Sequence, residues 1–216
     1  MEEYVLEQAD LIDNYRTACQ RDVLNSRARR SCDYVPWHDQ SEAYQIQKTI
    51  GSQTRVIIMN PSADGGLPHT RAPNVICIPA YFPKERLTET LHHELIHIHQ
   101  RQNPDIWKER LVMEGWAPVS EWEAVRKIPR EHLQRVRLNP DTIACRFQAW
   151  EGRYVPLCLF EREDKPSLRE TTVRWFDLED GKIRHDPPVS LIQRYGRIGK
   201  SSQEHPFELW AYTADH

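Results

Sequence analysis

Three side chains in the segment Thr88-Glu89-Thr90-Leu91-His92-His93-Glu94-Leu95-Ile96-His97 have types and spacing that can do chemistry together. His93 and His97 stand four residues apart, which on a helix puts them about 40° apart and one turn up. Two imidazoles so placed can grip one zinc ion, a metal that favours nitrogen ligands in tetrahedral geometry. Glu94 sits about 100° round from His93, beside the ligand line. From there it can take a proton from zinc-bound water and pass it to a leaving amine. The chemistry expected is metal-assisted hydrolysis of an amide, with Zn2+ as cofactor. His92 and His99 lie on the flank and read as supporting or solvated residues.

The surrounding letters support a helix with two different faces. Leu87, Leu91, Leu95 and Ile98 fall within about 80° of one another on a helical wheel, nearly opposite His93 and His97. One face is therefore expected in the core and the other along a cleft. The helix should run from Pro83 to about Gln102 and stop at Asn103-Pro104.

On these residues the chain resembles the zincin metallopeptidases, whose helix carries H-E-x-x-H. The resemblance covers chiefly residues 54–102. It implies a zinc-dependent peptidase acting on a peptide or protein substrate, with the helix packed under a small mixed sheet. It also implies that the strand before the helix, here Val75, Ile76, Cys77 and Ile78, is the edge along which a substrate pairs. The longer metzincin pattern would need Gly at position 100 and His at 103, where this chain has Gln100 and Asn103. The third ligand expected is thus a glutamate, as in gluzincins. Glu114, Glu121 and Glu208 each stand in an E-x-x-A context, and Glu208, in a Pro-x-Glu-x-x-Ala turn, is preferred. Tyr212, His205 and Tyr154 are the candidate donors to a tetrahedral oxyanion. Two other readings stay open: a zincin fold kept only as a binding scaffold, and an α+β interaction protein with a chance motif. The intact Glu94 counts against the scaffold.

The rest of the chain must position these groups. Residues 2–29 read as one amphipathic helix, through Val5, Leu11, Ile12, Tyr15, Cys19 and Val23. A short helix over Glu42 to Ile50 ends at Gly51. Thr54 to Met59 and Val75 to Pro79 are strands with a loop between them, and Pro104 to Glu114 is a further helix. Beyond Asp141 the texture turns to strands over 146–150, 153–160, 171–178 and 182–185, with Asp180-Gly181 as a hairpin turn. A last helix follows Pro206. The expected fold class is α+β, with a catalytic lobe over 1–140 and a β-rich segment with a short helix over 141–216, together one compact unit.

Composition sets outer limits. A net charge of −3 and 28% charged residues of both signs describe a globular chain and argue against a general polyanion binder. The basic stretch Arg126, Lys127, Arg130, Arg135 and Arg137 reads as a solvated face before it reads as a nucleic-acid contact. Five scattered cysteines without a C-x-x-C pair indicate neither a disulfide framework nor a cysteine metal site. With no signal-like start and no long apolar run, an intracellular protein without a membrane span is expected. The tryptophans read as core.

Overall fold

The computed structural model describes residues 1–29, 35–51, 53–199 and 201–213, and the fold is α+β as expected. Two compact units divide the chain, Met1–Gln102 and Asn103–His216. The boundary lies at the stop signal Asn103-Pro104, not near residue 140 as the change of texture suggests. The reason is a short strand at 116–118 that pairs within the second unit's sheet and takes the intervening helices with it.

The first unit is built on three strands. β1 (Arg55–Met59) and β3 (Val75–Pro79) pair in parallel over five positions, and β2 (His69–Arg71) adds antiparallel to β3. Side chains alternate between two covered faces, which explains why β1 after Arg55 and all of β3 are apolar. Val56, Ile58, Ile76 and Ile78 face α4 (Ser41–Ile50) and α5 (Lys84–Gln102), packing on Ala43, Ile46, Leu91 and Ile98. Ile57, Met59, Val75 and Cys77 face the other way, onto Leu6 of α1 (Glu2–Asp13).

β3 is the central strand, with the order β1-β3-β2. Val75, Ile76, Cys77 and Ile78 are therefore not a substrate edge: their strand pairs on both sides and their side chains are buried. A backbone already bonded to two neighbours has no row of free N–H and C=O groups to offer a peptide. The other edge of β1 is itself taken up, since Trp37 N donates to Ile58 O at 2.7 Å and the Gln40 carboxamide bridges Ile58 N and O.

The N-terminal segment is three helices rather than one: α1, α2 (Tyr15–Arg21) and α3 (Val23–Ala28). Asn14 turns into the left-handed region at φ 55°, and Asp22 is extended. Acidic side chains catch the amides exposed at each break. Asp13 accepts from Tyr15 N, Asp10 from Arg16 N, and Asp22 from Asn25 N. The kinks re-aim the apolar pattern, so Leu6, Ala9, Tyr15 and Cys19 are buried while Leu11, Ile12 and Val23 are exposed.

The second unit is an antiparallel sheet in the order β4-β5-β6-β7-β8, formed by Trp116–Pro118, Gln148–Trp150, Tyr154–Phe160, Thr171–Asp177 and Ile183–Arg184. Before it come α6 (Pro104–Glu114), then α7 (Glu121–Lys127) and α8 (Arg130–Leu133) between β4 and β5. After it come α9 (Val189–Tyr195) and α10 (Pro206–Thr213). One sheet face packs Ala149, Val155, Leu157, Leu159 and Phe176 against Ala124, Ile128 and Val136. The other packs Trp116 edge to face on Trp150 and tilted against Trp175, and Trp150 Nε1 donates to Ser190 Oγ of α9 at 2.9 Å. Gly115 closes α6 at φ 93°, a conformation strained for any other residue, and sits against the Trp150 ring. Trp122 is the exception among the tryptophans, exposed with Arg126 over its ring.

Among the described residues, Cys77 and Cys158 are free thiols, and Cys32 lies outside those residues. No helix among them is long and apolar enough to cross a membrane.

Candidate metal centre

α5 carries His93, Glu94 and His97, and its apolar side is anchored by Leu91 and Ile98 with Leu87 and Leu95 packed beside them. That burial fixes the helix about its axis, so the polar side is presented in one orientation. The two imidazoles converge, with His93 Nε2 and His97 Nε2 at 3.0 Å. His97 is 1% exposed and Glu94 3%, while His93 is half-buried and His92 and His99 are exposed.

The tautomer of His97 follows from its neighbour. Nδ1 lies 2.7 Å from Gln100 Oε1, and a carboxamide oxygen only accepts, so Nδ1 carries the proton. Nε2 then presents its lone pair towards His93, as a metal ligand must. In the sequence Gln100 serves only to exclude the metzincin pattern, although its spacing of i+3 from His97 is a signal that could have found it.

Glu208 lies in the first turn of α10 and is 5% exposed. Its Oε1 accepts from Asn139 Nδ2 at 2.8 Å. Asn139 also donates to Glu204, which Arg137 pairs with in turn. The side chains of His93, His97 and Glu208 each bring one ligand atom, and these atoms all lie within 4.8 Å of one another. Two imidazole nitrogens and a carboxylate oxygen fit the donor set of a catalytic zinc that keeps one position open.

The rival glutamates are engaged elsewhere. Glu114 Oε2 accepts from Arg194 and from Tyr195 Oη at 3.0 Å. Burial raises its pKa, but those bonds outweigh it and hold the carboxyl below the usual range. Glu121 is exposed, with Arg146 at 3.5 Å.

Of the candidate oxyanion donors, His205 has another task. Its Nδ1 accepts from Phe207 N at 3.1 Å, which leaves the proton on Nε2 to bond Cys145 O at 2.9 Å. Buried and bonded at both nitrogens, the ring caps α10. Tyr154 starts β6 with Arg153 stacked on its ring, and nothing groups it with the histidines. Tyr212 stands four residues after Glu208, on the same side of α10, and is partly exposed.

No protein-family model, curated protein or solved structure matches the chain.

Proposed function

We propose that this protein is a zinc-dependent peptidase in which His93, His97 and Glu208 hold the metal and Glu94 is the general base. The observation that carries the reading is the grouping of one ligand atom from each of those three side chains within 4.8 Å. Sequence context alone favours Glu208, so its presence in this group is independent support. Bound there, zinc would supply Lewis acidity, polarising a scissile carbonyl and lowering the pKa of a water towards neutrality.

The chain's own residues divide the remaining work. Glu94, next to His93 and almost wholly buried, takes the proton of the attacking water and returns it to the leaving amine. Gln100 fixes the His97 ring, and Asn139 restricts the Glu208 carboxylate, so that neither must be ordered when the metal arrives. Tyr212 is the hydroxyl donor this reading retains for the oxyanion. The substrate is a peptide or protein.

Elemental analysis and a cleavage assay against an unstructured protein such as casein test this together. The wild-type chain should carry one zinc and cleave, and Glu94→Gln should keep the zinc while losing about 10²–10⁴-fold in rate. Equal rates in the two proteins would remove Glu94 from its role. Stoichiometric zinc without cleavage would favour the scaffold reading, and absence of zinc binding would end the metal reading.

A further inference from the structure

The sheet of the second unit holds a cavity of about 390 Å³, within the usual range for small-ligand sites. Its lining joins the apolar Leu159 and Ile183 to two arginines, two histidines, Thr172 and Glu161. His132 and Arg135 come from α8 and the turn after it, Arg174 from β7, and His185 from just past β8. We propose that this cleft binds a compact anion of the phosphate monoester class. The inference rests on the second unit alone and does not depend on the zinc reading.

The argument is electrostatic and geometric. Both guanidinium groups are held in place. Arg135 Nη2 donates to Phe160 O at 2.8 Å, and Arg174 Nη1 donates to Thr172 Oγ1 at 2.7 Å and to Val173 O at 3.1 Å. Those bonds use only one end of Arg174. Among the described residues its Nε and Nη2 have no acceptor, which leaves a fork suited to two oxygens of one anion. Gathering two arginines beside apolar side chains costs repulsion that water screens less well inside a concave site. Within the lining, Glu161 is the lone carboxylate, and Glu163 reaches Arg135 only at 3.5 Å. The lining is left with a net positive charge that favours an entering anion.

The same surroundings argue for a small anion over a polynucleotide. Residues 161–170 at the end of the β6–β7 hairpin carry Glu161, Glu163, Asp164 and Glu170 against Arg162, Lys165 and Arg169, and the whole chain carries −3. A long polyanion finds no continuous run of positive charge there, whereas a single phosphate group needs only the arginine fork.

The test is calorimetric titration of the full chain with phenyl phosphate, in the neutral chelator 1,10-phenanthroline so that no metal holds the anion. Saturable one-to-one binding is expected. Arg174→Gln should weaken it about tenfold, the worth of a charge-assisted hydrogen-bonded pair. Arg162→Gln, which removes an exposed ion pair with Asp164 outside the cleft, should leave it unchanged. Because Arg135 ties the Phe160 carbonyl and its loss would also disturb the fold, Arg174→Gln is the deciding variant, with thermal melts confirming that it folds. No saturable binding, or equal binding by Arg174→Gln, overturns the proposal. Tighter binding of a twenty-residue oligothymidylate, with a steep salt dependence, overturns it in favour of a nucleic-acid surface. A phosphoserine peptide run beside phenyl phosphate identifies the source: the tighter of the two shows whether a free ester or a phosphorylated side chain is preferred.

Discussion

Replacing Gln100 by Leu should weaken zinc binding far more than it weakens the fold. Gln100 touches no proposed reacting atom. It accepts the Nδ1 proton of His97 at 2.7 Å in a place where His97 is 1% exposed and Gln100 3%. Leucine keeps the bulk and removes the acceptor, and so little exposure leaves no room for water to take over. A buried donor left without its acceptor costs about 1–3 kcal/mol. Losing a partner that orients a metal-ligating histidine typically costs about 10–100-fold in metal affinity, or about 1.4–2.7 kcal/mol at 1.36 kcal/mol per decade. The two ranges agree, as expected if the hydrogen bond acts mainly by fixing the ring. The assay is competition for zinc against a chromogenic chelator at neutral pH, with the metal-free melting temperature measured alongside. Gln100→Glu, which keeps an acceptor at the same reach, should recover most of the affinity. A Gln100→Leu protein that binds zinc as tightly as wild type while melting lower would refute the reasoning and reduce Gln100 to a packing residue.

Two further outcomes concern the framework. Asp13→Ala strips two 2.8 Å bonds from Arg71, a side chain buried at 1% exposure, but leaves Asp10 Oδ1 at 3.1 Å, so it should cost about 3 kcal/mol in urea denaturation, the low end for breaking a buried pair. Burial pushes the Asp13 carboxyl up, but the Arg71 bond and charge pull it further down, so its folded pKa lies below the ordinary 3.8. The unfolded chain then takes up this proton first. The contribution is full above 3.8 and is lost as pH falls towards the folded value, so the acid slope of stability should flatten in Asp13→Asn. His205→Ala removes the cap of α10 and should cost about 1–2 kcal/mol while leaving the rate per folded molecule nearly intact. A hundredfold fall in the rate of fully folded His205→Ala would return this ring to the oxyanion.

How much of the fold and the site is legible in the letters differs by element. The α5 helix is, because a 3.6-residue apolar stripe and H-E-x-x-H lie within one continuous segment, and both signals are local. The strands β1, β3, β6 and β7 are as well, since their β-branched and aromatic runs are closed by Pro, Gly or Asp. The break-up of the N-terminal segment into three helices is not. Side chains at Asp10, Asp13 and Asp22 compete for backbone amides, and at the first break that competition is decided by Arg71, nearly sixty residues from Asp13.

By itself the sequence determined the chemistry on offer: two imidazoles one turn apart, a carboxylate beside them, and a core face opposite. It also determined the candidates for a third ligand, since few glutamates stand in a helical, apolar setting. Sequence context preferred Glu208 among them, and tertiary structure added that Glu114 is drawn off by Arg194 and Tyr195 while a Glu208 oxygen lies within 4.8 Å of the imidazole ligand atoms. Tertiary structure also moved β3 from the edge to the centre of its sheet, because strand order depends on β2, at three residues too short to carry a pattern. Local spacing sets what a helix can present. Pairings between residues far apart in the chain decide what it meets.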